Sequence, residues 1–103
     1  MSEYKVLIIG DEMSGLDLEV RSFDEKPTLK EMQEMVGGYI EFVPIFMGAE
    51  MTGVINEEGK LNGFKPNPIA TNLYDTFKQS KGIPDDGDWI AGTMFIPINF
   101  DID

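Results

Sequence analysis

Two short β-branched runs open the chain and predict an antiparallel pair of strands. The first run covers Tyr4–Gly10 and ends in glycine followed by acids. The second, Leu18–Phe23, alternates apolar and polar residues, so Leu18 and Val20 are expected to point inward.

Three further segments have the composition of strands. Residues 39–47 are apolar on both faces, which predicts a central strand, although Pro44 must lie at a bulge or at an edge. Glu50–Asn56 follows a glycine turn and runs back as the hairpin partner. The last predicted strand is Trp89–Phe100.

Two segments have helical spacing together with start and stop signals. Thr28 and Glu31 form a capping box, and Gly37 follows the last periodic residue, where a helix often ends in a left-handed glycine. Asn67 and Pro68 provide an N-cap and a first-turn proline for the second helix. A phosphate-binding glycine loop precedes a helix, whereas the pair Gly37-Gly38 follows the first helix. We therefore interpret this pair as a helix stop.

The resulting order is β-β-α-β-β-α-β, on a chain with room for one domain over residues 1–103. We therefore predict an α+β fold: a mostly antiparallel sheet with two helices on one face.

Composition removes several classes of chemistry. The chain has no cysteine and no histidine, so it has no disulfides, no histidine-based catalytic triad and no ordinary zinc site. We expect no cofactor, no metal and no enzymatic activity. No apolar run is long enough for a membrane helix or a signal-peptide core, and a cytoplasmic location is expected.

The net charge of −11 narrows the choice of partners. It argues against direct binding to nucleic acid or to an anionic membrane, where basic patches provide the affinity. It is compatible with a surface that only keeps the protein soluble, or with one that imitates nucleic acid.

The segment Lys60–Ala70 is the strongest candidate for a binding site. Lys60 and Lys65 flank Phe64 just before the predicted start of the second helix, and a helix N-terminus favours anions. A phosphate-bearing ligand could bind there; the alternative places both lysines in water and Phe64 in the core. The candidate ligand-binding residues are Lys65, Asn67, Ile69 and Ala70, with Lys60, Tyr39 and Glu41 nearby.

Two groups of acids have open interpretations. Glu41 is the charged residue of an apolar strand; it is a hydrogen-bond acceptor for a ligand, a partner of Arg21, or simply exposed to solvent. Asp85, Asp86 and Asp88 surround a glycine, but the full calcium-loop pattern is missing and a solvated turn is favoured.

The chain contains the short motifs VGGYIEFVP, INEEGKLNG, NPIAT and a terminal WIAGTMFIP. They resemble those of a family of small phage- and mobile-element-borne proteins that is known only as a domain of unknown function, and the resemblance covers Tyr4 to Ile98. It departs from the family pattern at the acidic insertion SKGIPDDGD and at Ile90-Ala91-Gly92. The resemblance implies a context, in which small proteins without catalytic residues counter host defences.

Two functions fit that context. One is sequestration of a small anionic, nucleotide-derived signal, with a homo-oligomer completing the pocket. The other is mimicry of DNA by the acidic surface, which would inhibit a DNA-binding host protein. An enzyme that uses Glu41 or Asp75 on a phosphodiester is a third interpretation, which the absence of histidine and of a metal-ligand cluster disfavours.

Overall fold

A computed structural model describes residues 3–11 and 18–102. Its elements follow the predicted order β-β-α-β-β-α-β, and the α+β class is confirmed. The strands are β1 (Tyr4–Ile9), β2 (Leu18–Phe23), β3 (Ile40–Phe46), β4 (Glu50–Asn56) and β5 (Met94–Pro97), and the helices are α1 (Leu29–Val36) and α2 (Pro68–Ser80). Neither helix is long and apolar enough to cross a membrane.

One antiparallel sheet contains these strands in the order β2-β1-β5-β4-β3. The short strand β5 lies at the centre and joins the β1–β2 hairpin to the β3–β4 hairpin. The predicted strand Trp89–Phe100 is therefore too long. Residues before Met94 diverge from the sheet because Gly92 has a left-handed φ of 81° and Ala91 bridges to Pro66 instead.

The two helices pack on opposite faces of the sheet, so the prediction that they share one face is wrong. The α1 helix covers a core that includes Val6, Val54 and Phe95. The α2 helix covers a second core, which includes Ile55 and Met94. Adjacent residues of one strand enter different cores because side chains alternate across a strand. A sheet that is apolar on both faces needs a cover on each.

The strand β3 is an edge strand, so the prediction of a central strand at residues 39–47 is also wrong. Its apolar run misleads because Val43 and Ile45 are buried towards α2, whereas Phe42 on the other face is 50% exposed. The backbone N–H of Glu57 donates to the carbonyl of Tyr39, so odd-numbered residues of β3 bond to β4. The missing N–H of Pro44 therefore faces away from the sheet, where it breaks no ladder bond.

The strand β2 forms the other edge, and its apolar side chains are not buried as predicted. Leu18 is 51% exposed and Val20 is 60% exposed. They lie beside Ile9 and Leu7, on the face of the sheet that α2 covers. Since α2 packs mainly over β3, at the opposite edge, it does not extend over β2.

The predicted ends of α1 are confirmed. Both hydrogen bonds of the capping box between Thr28 and Glu31 are present. Gly37 ends the helix with a φ of 82°, a conformation that glycine adopts without the Cβ clash of other residues. A Cβ on Gly38 would lie 2.8 Å from Asn56 Nδ2, and this amide in turn donates to the Val36 carbonyl. The glycine pair is a helix stop and a close packing point.

Candidate functional site

The predicted anion site at the start of α2 is filled by Asn67. Its side chain is fully buried, and its Oδ1 accepts from the Ala70 N–H at 3.0 Å. Its Nδ2 donates to the carbonyls of Ile9 at 3.0 Å and Gly92 at 2.8 Å. The Asn67 amide therefore locks α2 to β1 and to the chain that leads into β5. Neither end of the amide is available to a ligand.

The neighbouring candidates take structural or solvent-exposed positions. Ala70 is fully buried, and Ile69 packs against the core beneath α2. Lys65 is exposed, and its carbonyl accepts from the Gly92 N–H at 2.8 Å. The Lys65 ammonium is therefore exposed to solvent. It lies beside the start of α2, where the Asn67 side chain already caps the helix.

Phe64 is a packing residue of this connection rather than a free aromatic platform. Its ring contacts the positions where Cβ atoms would stand on Gly37 and Gly92, at 3.7 Å and 2.7 Å. A Cβ on Gly59 would also lie 3.5 Å from the ring. The glycines thus make the space that the partly buried ring occupies.

A cleft of about 370 Å³ lies beside this connection and brings together Lys60 and Glu41, two of the candidate residues. Its walls come from β3, β4, the turn at residues 57–61, α2 and the segment 88–91. Tyr39 is 67% exposed and is not part of the lining. The side chains that give the cleft its chemistry are Glu41, Glu57, Glu58, Lys60, Tyr74, Asp88 and Trp89.

Lys60 is the cation of the cleft and is held there by two partners. Its Nζ is hydrogen-bonded to Asp88 Oδ1 and lies 4.8 Å from the centre of the Trp89 ring. Hydrogen bonding to Lys60, supported by the Trp89 N–H, holds the pKa of Asp88 below its usual value of 3.8 although partial burial acts in the opposite direction. The lining of the cleft thus combines four acidic residues, an indole and a phenol with one lysine that is 45% exposed.

Lys78 attaches the acidic turn at residues 85–88 to α2. Its side chain is only 5% exposed, and its Nζ lies 3.4 Å from Asp75 Oδ1 and 3.2 Å from Asp86 Oδ1. Burial alone would lower the pKa of Lys78, but the hydrogen bond to Asp86 and the nearby Asp75 carboxylate outweigh it and raise this pKa above 10.5. The Nζ also lies 4.6 Å from the Tyr74 ring centre. The contacts of Lys78 with Asp75 and Asp86 therefore hold the acidic turn against α2, and this turn forms one wall of the cleft.

The carboxylates of the acidic turn are occupied by protein donors. Asp85 Oδ1 accepts from the Gly87 N–H, and Asp86 Oδ1 accepts from the Asp88 N–H and from Lys78. Within residues 3–11 and 18–102, no group of three or more acidic side chains is placed to hold a metal ion. The turn is solvated and internally bonded, as the sequence favours.

Glu41 is exposed, which is one of the alternatives that the sequence left open, and the alternative ion pair with Arg21 does not form. Arg21 lies on the opposite edge strand, where its Nε is 2.9 Å from Glu19 Oε2. The carboxylate of Glu41 therefore contributes to the cleft as an acceptor open to solvent.

Sequence reasoning missed most of the cleft. The sequence predicts Trp89 within the last strand, and Glu57 and Glu58 are not among the candidate residues. A usable signal was present, because the only tryptophan of the chain directly follows an acidic turn. In the structure this tryptophan is 38% exposed. Exposed tryptophans beside charged groups are common at binding surfaces.

A second, larger groove of about 840 Å³ lies on the α1 side of the sheet, between β4 and the residues that follow β5. Phe42, Thr52 and Phe100 contribute to its walls. It contains none of the candidate residues from the sequence.

Comparison with known proteins identifies the family but no activity. The family described as "Domain of unknown function (DUF3846)" matches residues 4–97, which include every strand and both helices. The chain belongs to the DUF3846 family. No curated protein and no solved structure matches the chain closely enough to be reported as similar. Membership of DUF3846 therefore does not specify a function, either catalytic or non-catalytic.

Proposed function

We propose that this DUF3846 domain is a non-catalytic binding protein whose acidic cleft receives a basic side chain of a partner protein. The observation that supports the proposal is the position of Lys60. The cleft already binds a cation, between the Asp88 carboxylate and the face of Trp89. Glu41, Glu57 and Glu58 add three further carboxylates to the same lining.

The chemistry of the cleft matches an arginine or a lysine. Aromatic faces attract cations through the ring quadrupole, and carboxylates pair with guanidinium groups in a bidentate manner. A basic side chain that displaced Lys60 would keep both interactions and release Lys60 to solvent. The resemblance to phage-borne proteins makes a nucleic-acid-binding host protein, rich in such side chains, the partner class to test first.

An anionic, nucleotide-derived ligand is less compatible with this geometry. The N-cap of α2 is closed by Asn67, and the one cation of the cleft is already paired with Asp88. Four carboxylates on the same lining would repel a phosphate. Sequestration of such a signal remains a hypothesis with its own experimental arm.

The test uses Trp89 fluorescence as the readout, since the chain has one tryptophan. A hexa-arginine peptide is titrated into the protein, and the same titration is repeated with a variant carrying Glu57→Gln and Glu58→Gln. Because both carboxylates line the cleft, the double variant should bind the peptide roughly three- to tenfold more weakly.

The matched control carries Glu25→Gln and Glu34→Gln, which change the net charge equally. Both residues are exposed and lie outside the cleft. We expect the control to retain nearly the full affinity of the wild-type protein. Equal losses of affinity in the two double variants would mean that peptide binding depends on net charge alone, and the proposal would fail.

A parallel arm incubates the protein with a cyclic dinucleotide and analyses the mixture by mass spectrometry before and after heat denaturation. Intact dinucleotide that is released on heating, and is not captured by Lys60→Ala or Lys65→Ala, would support sequestration instead. A chemically altered dinucleotide would indicate an enzyme. Neither result is expected from the acidic cleft.

A further inference from the structure

The outer edge of β2 is unpaired among the described strands, and its backbone groups point outward at even-numbered residues. The Ile98 N–H donates to the Lys5 carbonyl, so odd-numbered residues of β1 bond to the β5 side and even-numbered ones bond to β2. In the register that pairs Val6 with Arg21, odd-numbered residues of β2 then face β1. The outward N–H and C=O groups belong to Leu18, Val20 and Ser22.

The two edges of the sheet differ in their protection against further pairing. On β3, Pro44 lacks one of the N–H groups that would otherwise point outward from the sheet edge. Proline on an edge strand is a common feature that prevents the addition of another strand. The strand β2 has no proline, and Leu18 and Val20 are more than half exposed on it. An unprotected edge with apolar side chains is a template for another strand.

We infer that this edge pairs with β2 of a second copy of the chain, antiparallel and centred on Val20. In that register Val20 lies opposite Val20 of the second copy, and Leu18 lies opposite Ser22. Glu19 then lies opposite Arg21 of the second copy, and Arg21 opposite Glu19. The outward groups at 18, 20 and 22 form hydrogen-bonded pairs, and the charged residues form the closer non-hydrogen-bonded pairs.

Charge selects both this partner and this register. Arg21 is the only arginine in a chain of net charge −11, and on β2 it balances Glu19. A shift by two residues in one direction places Glu19 opposite Glu19, and a shift in the other places Arg21 opposite Arg21. Like charges directly opposite each other destabilise a strand pair. Among the registers that use the outward groups at these positions, only the one centred on Val20 pairs opposite charges.

The dimer would join two five-stranded sheets into one, with apolar side chains of both copies adjacent on the face that α2 covers. A single pair of short strands buries little area, so the interface belongs to the weak class. Its self-association is therefore measured by sedimentation velocity from about 1 µM to about 1 mM, the range in which weak interfaces assemble. We expect the wild-type protein to pass from monomer to dimer within that range.

Val20→Pro is the first variant, because it copies the situation of Pro44 on the other edge. The Val20 N–H faces away from β1, so no hydrogen bond to β1 is lost, and circular dichroism checks the fold. The variant should remain monomeric throughout the concentration range. Val20→Thr keeps the backbone donor and a β-branched side chain, and it should still dimerise.

A charge exchange tests the register without a backbone change. The Arg21→Glu variant alone and the Glu19→Arg variant alone each place like charges opposite each other, so each should dimerise at least tenfold more weakly than wild type. An equimolar mixture of the two should restore the dimer, since every cross-strand pair is then opposite in sign. A wild-type protein that stays monomeric to about 1 mM, a dimer that persists in Val20→Pro, or a mixture without restored association would each overturn the proposal.

Discussion

The two ends of the segment Lys60–Ala70 have opposite roles, although both are polar and both looked like parts of one site. At the C-terminal end, Asn67 is fully buried and bonds to three backbone groups. At the N-terminal end, Lys60 is exposed and bonds to one carboxylate and one aromatic face. The first end holds the fold, and the second forms the cleft.

The difference shows that burial, rather than residue type, separates a structural polar group from a binding one. A buried amide must satisfy its donors and acceptor inside the protein, so nothing is left for a ligand. An exposed ammonium loses little when it exchanges one partner for another. Four predictions test this division, beginning with the largest expected effect.

Asn67→Ala should lower the free energy of unfolding by roughly 2 to 4 kcal/mol, because it removes a helix cap and two further buried hydrogen bonds. Chemical denaturation followed by circular dichroism measures the loss. The control is Asn62→Ala, an exposed asparagine of the same segment, which should change stability by less than about 0.5 kcal/mol. A similar small change at Asn67 would contradict its structural role.

Gly92→Ala should destabilise the protein by about 2 to 3 kcal/mol, since it combines backbone strain with overpacking against Phe64. The glycine has a φ of 81°, and a Cβ there would lie 2.7 Å from Phe64 Cδ2. Gly63→Ala separates the two causes, because Gly63 has a φ of 74° with nothing near its Cβ position. Its loss should be about 1 kcal/mol. Equal losses would show that Phe64 packs loosely.

Lys60→Met should leave stability within about 0.5 kcal/mol of wild type but strengthen binding of the hexa-arginine peptide severalfold. The substitution frees Asp88 and Trp89 for the peptide and removes a positive charge from the cleft. Lys65→Met has the same charge change outside the cleft and should strengthen binding much less. Weaker binding in Lys60→Met would reverse the proposed role of this lysine.

The smallest effect is on the titration of Asp88. Its folded pKa is lowered, chiefly by the hydrogen bond to Lys60, so its contribution to stability is complete above the unfolded value of 3.8 and is lost as pH falls through the folded value. In Lys60→Met, the Asp88 pKa should rise towards 3.8. Carbon-detected NMR titration of the carboxyl group measures it. An unchanged pKa would show that backbone donors, rather than Lys60, hold it low.

The sequence was sufficient where a signal is local. The helix ends lie at the residues that the sequence predicts, because capping depends on residues within one turn. These residues are Thr28 with Glu31 and Gly37 for α1, and Asn67 with Pro68 for the start of α2. The observed bounds of β2 and β4 are the same as the predicted ones.

The same local signals could not show how the elements are arranged. Alternation along a strand does not reveal whether a helix covers that part of the sheet, so Leu18 and Val20 were expected to be inside. Residues 39–47 looked central because edge and central strands can both be apolar on two faces. The cleft joins residues separated by up to fifty positions, such as Glu41 and Ala91, and no short motif encodes that proximity.

The central position of β5 has a consequence for how the chain folds. The last strand in chain order lies between the two hairpins, so neither hairpin can extend into a continuous sheet until Met94–Pro97 arrives. The contacts that join the two halves of the sheet are thus non-local, and loops must close before those contacts form. During synthesis on the ribosome, the two earlier hairpins would remain separate until β5 is made, with part of their apolar surface exposed. Premature termination before Met94 should leave a chain that cannot reach the native sheet and is prone to aggregate.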